Sequence, residues 1–349
     1  MKSINADVVV IGAGTAGMSA FRNALQHTDN VYLIESHTYG TTCARVGCMP
    51  SKLLIAASEA RHHALHTDPF GVHLDHASIK VNGEEVMQRV RSERDRFVGF
   101  VVSDVEEWPS KNRIMGQASF IDEHTVQIDD HTQIHAERVV IATGSRPIIL
   151  PEWKQLGDKV ITNDDVFYWQ TLPKSVAVFG TGVIGLEIGQ ALHRLGVQVE
   201  IFGRSGSLGS ITDPVVLVEA PKVLGEELVM HLHSKTKVKS DASGKVQVHW
   251  QEDGKNGTFT ADYLLAAIGR TPNTDKIGLE NLSIETDKHG VPKANPTTMQ
   301  TSISHIFIAG DASNQLPLLH EASDQGKIAG DNAGVYPNIN KGLRRSHIG

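Results

Sequence analysis

One pattern occurs twice in this chain and limits the folds that it can adopt: an apolar run, a glycine-rich turn and, one helix later, a second apolar run. The first copy is Asp7-Val-Val-Val-Ile, Gly12-Ala-Gly-Thr-Ala-Gly17 and Val31-Tyr-Leu-Ile-Glu35. The second copy is Val176-Ala-Val-Phe, Gly180-Thr-Gly-Val-Ile-Gly185 and Val197-Gln-Val-Glu-Ile-Phe202. Such runs are typical of buried parallel strands in β-α-β units. The repeat therefore predicts an α/β protein with two nucleotide-binding domains.

The first glycine turn has the spacing that binds a dinucleotide. Gly12 allows the tight turn, Gly14 lets a pyrophosphate approach the backbone, and Gly17 lets helix and strand pack closely. The phosphate then lies at the helix N-terminus, which attracts an anion. Glu35 ends the second strand, where its carboxylate can accept hydrogen bonds from the ribose hydroxyls. A glycine turn alone can serve packing only, but here strand, helix, second strand and terminal acid agree.

The second turn has the same three glycines: Gly180, Gly182 and Gly185. It differs at the end of its second strand, where Gly203 stands at the position of Glu35 and Arg204 follows. An acid would bind the 2′-hydroxyl of NAD, whereas an empty position beside an arginine better accommodates the 2′-phosphate of NADP. We therefore expect NADP to be favoured over NAD. The third glycine points the other way, because NADP-preferring proteins often carry alanine there, and Arg204 as a solvated loop residue is the alternative.

The composition bears on partners and location. The 349 residues are 40% hydrophobic and 21% charged, which is typical of a globular protein. A net charge of -7 argues against binding to nucleic acid or an anionic membrane, because either needs a basic face. No apolar stretch is long enough to span a bilayer, and the run from Val8 to Phe21 lacks the pattern of a signal peptide. We expect a cytoplasmic protein with no nucleic-acid or membrane partner.

The only two cysteines are Cys43 and Cys48, close together in one short stretch. In a regular helix they would lie about 7.5 Å apart along the axis, whereas disulfide-bonded Cα atoms are roughly 4.4 to 6.8 Å apart. A bonded pair therefore needs an irregular segment, for which Gly47 and Pro50 are suited. So short a loop removes little entropy from the unfolded chain, which favours a redox role over a structural one.

The neighbours of the cysteines favour thiolate chemistry. Arg45, Lys52 and a predicted helix start would stabilise a thiolate. Zinc binding is one alternative, but His62 and His63 are not at the spacing of zinc ligands. Two unrelated buried thiols are the other alternative.

Six motifs, in order along nearly the whole chain, resemble those of the pyridine nucleotide-disulfide oxidoreductases, the group of dihydrolipoamide dehydrogenase, glutathione reductase and mercuric reductase. They are the first glycine turn, Cys-x4-Cys-x-Pro-Ser-Lys52, Ala142-Thr-Gly144, Gly-x-Gly-x-x-Gly-x-Glu187, Gly269-Arg-Thr-Pro-Asn273 and Ile306-Phe-Ile-Ala-Gly-Asp311.

The resemblance implies two Rossmann-like domains of the three-layer ββα type, with a small antiparallel β-meander in each. Residues 1–148 and 273–349 would form the FAD-binding domain, and residues 149–272 the NAD(P)-binding domain. From the residues themselves we expect a helix over Gly83 to Glu107, and then three short strands at Arg113–Phe120, Thr125–Ile128 and Arg138–Ala142, separated by Asp/His turns.

The resemblance also implies residue roles. Cys48 would be the thiolate beside the flavin, Cys43 would exchange with a small disulfide or dithiol substrate, and Lys52 with Glu187 would form an ion pair where hydride arrives. Further cofactor contacts are implied for Thr42 near the pyrophosphate, for Thr143 and Gly144, for Asp311 at the ribityl chain, for Ala322 in the helix that begins at His320, and for Gly269.

Three departures from the family pattern qualify these roles. Relatives commonly carry glycine and asparagine where this chain has Thr41 and Arg45. Full-length members are homodimers and continue into a C-terminal dimerisation domain, whose His-x4-Glu pair is absent before Gly349. The predicted function is therefore a disulfide oxidoreductase most like dihydrolipoamide dehydrogenase. The alternative is a truncated FAD- and NAD(P)-binding module without normal disulfide turnover.

Overall fold

The computed structural model describes residues 1–345. Within this range the α-helices are, in chain order, α1 (Thr15–Ala24), α2 (Thr42–Val46), α3 (Cys48–Leu65), α4 (Gly83–Glu106), α5 (Asn163–Val166), α6 (Val183–Arg194), α7 (Pro214–Gly225) and α8 (Leu319–Val335). None of the helices in this range has the length and apolar character needed to cross a membrane.

The strands of the same range are, in chain order, β1 (Lys2–Ile11), β2 (Val31–Glu35), β3 (Arg113–Met115), β4 (Ala118–Phe120), β5 (Thr125–Ile128), β6 (Thr132–Ile141), β7 (Ser145–Pro147), β8 (Val160–Ile161), β9 (Ser175–Phe179), β10 (Gln198–Phe202), β11 (Val229–His231), β12 (Lys235–Ser240), β13 (Val246–Glu252), β14 (Lys255–Ala261), β15 (Tyr263–Ala266), β16 (Arg270–Pro272) and β17 (Ile306–Ile308).

The first of two compact units consists of Met1–Cys43, Val98–Arg146 and the chain from Thr271 onward. Its sheet has the order β3-β2-β1-β6-β5-β4, with β17 also paired to β6. The strands from β3 to β6 in this order, and β17, are parallel, whereas β4, β5 and β6 form an antiparallel meander. Val8 and Val10 face one apolar cluster and Val9 and Ile11 the other. Because β1 is buried on both faces, its sequence is a continuous apolar run.

The second unit consists of Ala44–Phe97 and Pro147–Arg270. Its parallel sheet has the order β11-β10-β9-β15-β8, and β12, β13 and β14 form a separate antiparallel sheet. Val176 and Val178 pack in a cluster with residues of α3 and α6. Ala177 and Phe179 pack in a cluster with residues of β13 and β14. The layers are thus helices, parallel sheet and antiparallel sheet, which confirms the predicted fold class.

The structure differs from the sequence prediction in several places. The strand expected to start at Arg138 starts at Thr132, as β6. The expected strand from Arg113 to Phe120 is divided into β3 and β4 at Gly116, which has a φ of 146°, and β3 pairs in parallel with β2 instead of joining the meander. Residues 44–97, which the predicted boundaries assign to the first domain, pack within the second unit. Which cofactor each unit binds stays a prediction.

Candidate functional site

The first glycine turn forms an open cradle at the start of α1. A Cβ atom on Gly12 would lie 2.3 Å from the carbonyl oxygen of Ala142, and one on Gly17 would lie 1.7 Å from that of Gly12. Gly14 instead has no heavy atom within 4 Å of a built Cβ. Gly14 is also the N-cap of α1 and provides no side-chain cap. The first N–H groups of the helix are therefore available to an anionic ligand.

Glu35 is held beside this turn by backbone hydrogen bonds. Its Oε2 accepts from the N–H of Ala13 at 2.7 Å, and its Oε1 accepts from the N–H of His37 at 2.9 Å. The hydroxyl Oγ1 of Thr143 is buried and, within residues 1–345, has no hydrogen-bond partner. An unsatisfied buried hydroxyl is costly unless a ligand completes its hydrogen bonding. The cradle, the fixed carboxylate and this hydroxyl fit a dinucleotide such as FAD in the first unit.

Asp311 lies in a turn that follows β17 in the first unit. Its Oδ2 accepts a hydrogen bond from Ser145 Oγ at 2.8 Å, and Ser145 directly follows Gly144, which has a φ of 69°. A Cβ atom on Gly310 would lie 3.5 Å from the Cβ of Ala322 in α8. Ser145 was not predicted from the sequence, although it directly follows the Ala142-Thr-Gly144 motif. Thr42, which begins α2, is exposed.

The second glycine turn repeats this geometry in the second unit. The N–H of Gly180 donates to the carbonyl of Phe202 at 2.9 Å, as the N–H of Gly12 donates to that of Ile34 at 2.7 Å. These equivalent bonds put Gly203 at the position of Glu35, in agreement with the sequence alignment of the two copies. A Cβ atom on Gly180 would lie 2.1 Å from the carbonyl oxygen of Ala267, and one on Gly185 would lie 2.1 Å from that of Gly180, whereas Gly182 faces open space. Gly269, with a φ of 126°, follows β15.

The loop after β10 has a different chemistry from its counterpart after β2. Gly203 supplies no side chain, and its N–H donates to the carbonyl of His231 at 2.7 Å. Arg204 is exposed. Thr181 Oγ1 donates to the carbonyl of Ser207 at 2.6 Å, which fixes the loop against the glycine turn. The loop therefore presents a cation where the first unit presents a carboxylate.

The helix is interrupted between the two cysteines. Cys43, which is half-buried, lies in α2, and Cys48, which is exposed, is the first residue of α3. Gly47 separates the two helices with φ and ψ of -123° and -125°, so the segment is irregular at the glycine predicted to allow it. Pro50 is accommodated in the first turn of α3, where its missing N–H would have no helical partner.

Lys52 and Glu187 meet in the second unit. Lys52 is one turn after Cys48 in α3, on the same side of the helix, and its Nζ lies 2.7 Å from Oε1 of Glu187. Glu187 is in α6, the helix that begins at the second glycine turn. The structure thus brings together Cys48, Lys52 and Glu187. Arg45 donates to the Tyr168 hydroxyl at 3.2 Å.

No group of three or more His, Cys, Asp or Glu side chains arranged to hold a metal ion occurs within residues 1–345. His62 and His66 stack on each other in α3, with ring centroids 4.1 Å apart.

The sequence matches the model of a known protein family. Residues 6–326 match the family model described as "Pyridine nucleotide-disulphide oxidoreductase". The chain is 33% identical over 336 residues to a dihydrolipoyl dehydrogenase of Staphylococcus aureus, covering 94% of this chain and 70% of that protein. It is 32% identical over 347 residues to a dihydrolipoyl dehydrogenase of Bacillus subtilis (strain 168), covering 95% of this chain and 72% of that protein.

A solved structure has the same fold. The Cu(II) complex of the HOCl-induced flavoprotein disulfide reductase RclA from Escherichia coli superposes with a TM-score of 0.79 at 22% identity, covering 98% of this chain and 73% of that one.

Proposed function

Because the chain belongs to the pyridine nucleotide-disulphide oxidoreductase family, we propose that it passes electrons between NADPH and a small disulfide through Cys43 and Cys48. It is a flavoprotein oxidoreductase, and FAD, when bound, supplies the two-electron chemistry that links a nicotinamide to a disulfide. The relatives are dihydrolipoyl dehydrogenases, so lipoamide is the first substrate to test.

The observation that supports this proposal best is the 2.7 Å ion pair between Lys52 Nζ and Glu187 Oε1. It connects the helix that carries Cys48 with the helix of the second glycine turn, and both helices belong to the second unit. Lys52 places a positive charge on the face of α3 that carries Cys48, where it stabilises a thiolate. Glu187 in turn fixes the ammonium group of Lys52.

The thiol chemistry balances as two exchanges. Two electrons and two protons convert the Cys43–Cys48 disulfide to a dithiol. The Cys43 thiolate then attacks the substrate disulfide and releases one substrate thiol, and the Cys48 thiolate attacks Cys43 in the mixed disulfide and releases the second. In the reverse direction a substrate dithiol is oxidised. Cys48 suits the second attack because the N-terminus of α3 stabilises its anion.

FAD would be held in the first unit by the cradle of Gly12, Gly14 and Gly17. Glu35 would bind its ribose hydroxyls, Thr143 would use its buried hydroxyl, and Asp311 would bind the ribityl chain.

NADP is the nicotinamide cofactor that we propose, because Arg204 follows Gly203 where an acid would select NAD. We expect Arg204→Ala to raise the Kd for NADPH about tenfold and the Kd for NADH less than twofold, since only NADPH has the 2′-phosphate. Titration of both nucleotides by fluorescence measures the two constants, and Lys222→Ala, at an exposed lysine of α7, is the control. Equal effects on both nucleotides would remove the reason for favouring NADP.

The test of the function is an anaerobic titration of the purified protein with NADPH, followed by turnover assays with lipoamide and glutathione disulfide. We expect bound FAD, bleaching of its absorbance by NADPH, and reduction of lipoamide. Bleaching without turnover of either disulfide would contradict the disulfide chemistry and favour a hydride-accepting module. A protein that binds no FAD would contradict the whole proposal.

A further inference from the structure

A buried ion pair lies at the start of α8 in the first unit, outside the residues discussed above. Arg344 Nη1 donates to Glu321 Oε2 at 2.9 Å, and the two side chains are 7% and 0% exposed. Removing charges from water is costly, and a pair of this kind persists only when further hydrogen bonds satisfy it. The residues that form hydrogen bonds with Glu321 and Arg344 therefore indicate which part of the structure the ion pair stabilises.

The ion pair is linked to the turn that carries Asp311. Glu321 Oε2 also accepts from Gln325 Nε2 at 3.1 Å. Because the amide nitrogen of Gln325 donates to Glu321, its amide oxygen faces away from Glu321. This oxygen accepts from the N–H of Gly310 at 2.9 Å and from Ser313 Oγ at 3.0 Å. The two residues flank Asp311.

Arg344 also contacts the segment between that turn and α8, since its Nη1 donates to Gln315 Oε1 at 3.0 Å. The backbone just before it is anchored independently. The N–H of Asn340 donates to Asn332 Oδ1 at 2.8 Å, and the N–H of Gly342 donates to the carbonyl of Thr297 at 2.8 Å. Arg344 is thus held in place by its own segment and reaches both ends of residues 315–321.

We propose that Arg344 is a positioning residue for the FAD site: it holds the carboxylate of Glu321 in place, Glu321 orients the amide of Gln325, and that amide fixes the turn of Asp311. This inference rests on the proposed assignment of Asp311 to FAD. Without Arg344 the buried carboxylate of Glu321 would lose the charge-assisted hydrogen bond that holds it in place. Glu321 would then no longer fix the amide of Gln325, and the hydrogen bonds that this amide accepts from Gly310 and Ser313 would weaken.

The test measures the Kd of the apoprotein for FAD by quenching of flavin fluorescence, together with the melting temperature of each variant. We expect Arg344→Met to raise the Kd at least tenfold. The matched control is Arg345→Met, which removes a neighbouring arginine that forms a 2.9 Å ion pair with Asp324 and whose side chain is 59% exposed. Its Kd should stay within twofold of wild type.

Two further variants separate positioning from stability. The double variant Arg344→Met/Glu321→Gln should return the Kd to within threefold of wild type, because a neutral amide still accepts from Gln325 and leaves no buried charge. Gln325→Leu keeps the ion pair but removes its link to the turn, and should raise the Kd at least tenfold. These two variants decide the question if Arg344→Met alone does not fold.

Lower melting temperatures with an unchanged Kd for FAD in Gln325→Leu and Arg344→Met would overturn the positioning role and leave the proposed function intact. Failure of the wild-type protein to bind FAD would instead overturn the proposed function and this role with it.

Discussion

Cys48 lies at the first position of an 18-residue helix and has Lys52 one turn further along. The N-terminus of a helix carries a partial positive charge that falls off within one turn, so Cys48 receives the full effect. Cys43, in the five-residue α2, has no comparable helix behind it. This asymmetry of the backbone supports Cys48 as the cysteine whose thiolate is stabilised and Cys43 as the one that exchanges with substrate.

Replacement of each cysteine distinguishes these roles. We expect Cys48→Ser to abolish the long-wavelength absorbance that appears on partial reduction with NADPH, because the thiolate that would cause it is gone, while FAD stays bound. Cys43→Ser should keep that absorbance and lose disulfide turnover. Absorbance spectra during anaerobic titration with NADPH measure the band in both variants, and the lipoamide assay measures turnover. If Cys48→Ser kept the band, the assignment of the two cysteines would be reversed.

The Lys52–Glu187 pair is expected to matter for reduction and not for stability. Its side chains are 61% and 34% exposed, and exposed ion pairs contribute only about 0–1 kcal/mol to the free energy of unfolding. We expect Glu187→Gln to slow reduction by NADPH at least tenfold in stopped-flow absorbance, with little change in melting temperature.

A matched control for this variant is Glu219→Gln, whose carboxylate lies 2.7 Å from Lys222 on the exposed α7. This variant removes an ion pair of the same length and should change neither the rate of reduction by NADPH nor the melting temperature. Equal reduction rates in Glu187→Gln and wild type would exclude a role of the Lys52–Glu187 pair in the reaction.

At the scale of elements, Arg194 joins α3 to α6 within the second unit. Its Nε donates to Glu227 Oε1 at 2.5 Å and its Nη2 to Glu227 Oε2 at 3.0 Å, while Nη1 pairs with Glu59 of α3. Arg194 is 15% exposed and Glu227 23%. The hydrogen bond from Arg194 lowers the pKa of Glu227 from its ordinary value of 4.5.

Because the pKa of Glu227 is lowered, the stabilisation that the Arg194–Glu227 pair provides should depend on pH in a known direction. A carboxylate whose pKa is lower in the folded state stabilises the fold above its unfolded pKa, and this contribution is lost as the pH falls through the folded pKa. We expect Arg194→Met to lower the free energy of unfolding by about 1–3 kcal/mol at pH 7, and by progressively less below pH 4.5. Urea unfolding at several pH values measures it.

The control is Arg96→Met, which removes an exposed pair with Glu93 within α4 and should cost less than about 0.5 kcal/mol. An Arg194→Met effect that stayed constant from pH 7 to pH 3 would contradict a contribution from ionised Glu227.

Elements that are buried on both faces were predictable from the sequence, and those set by distant contacts were not. The apolar runs at Val8 and Val176 marked β1 and β9 because no polar side chain interrupts a strand covered on both sides. The helix expected from Gly83 ends at Glu106, one residue before the predicted end. The network of Arg344 gave no local signal, since its partner Glu321 is 23 positions away and only the fold brings the two together.

At the scale of the whole molecule, each compact unit is assembled from separate stretches of chain. The first unit uses three stretches and the second uses two. The predicted domain boundaries have the chain return to the first domain at residue 273. They did not indicate that residues 44–97 belong with the second unit, because that depends on Leu54, Met87 and Val90 packing with α6 residues such as Ile188. Apolar spacing predicts that a helix has a buried face but not which sheet covers it.

This assembly predicts that the two cofactors protect different stretches of the chain. Ligand binding slows amide exchange by stabilising the state that binds, by about 2.7 kcal/mol at a concentration of 100 times Kd. Relative to the apoprotein, FAD should protect peptides that contain Gly12–Gly17 and Gly310–Ser313. NADP+ added to the FAD-bound protein should protect peptides that contain Gly180–Gly185 and Arg204. Hydrogen-deuterium exchange with mass spectrometry measures each set.

Arg204→Ala gives the internal control for this exchange experiment. At the same NADP+ concentration it should reduce protection of the second glycine turn, because the Kd for NADP+ rises, while the FAD pattern in the first unit stays as in wild type. Residues 44–97 contain Cys48 and Lys52 and belong to the second unit, so protection of the first turn of α3 by NADP+ would connect the nicotinamide site to the cysteine helix. Protection by NADP+ confined to the first glycine turn would contradict the assignment of the second turn to the nicotinamide cofactor.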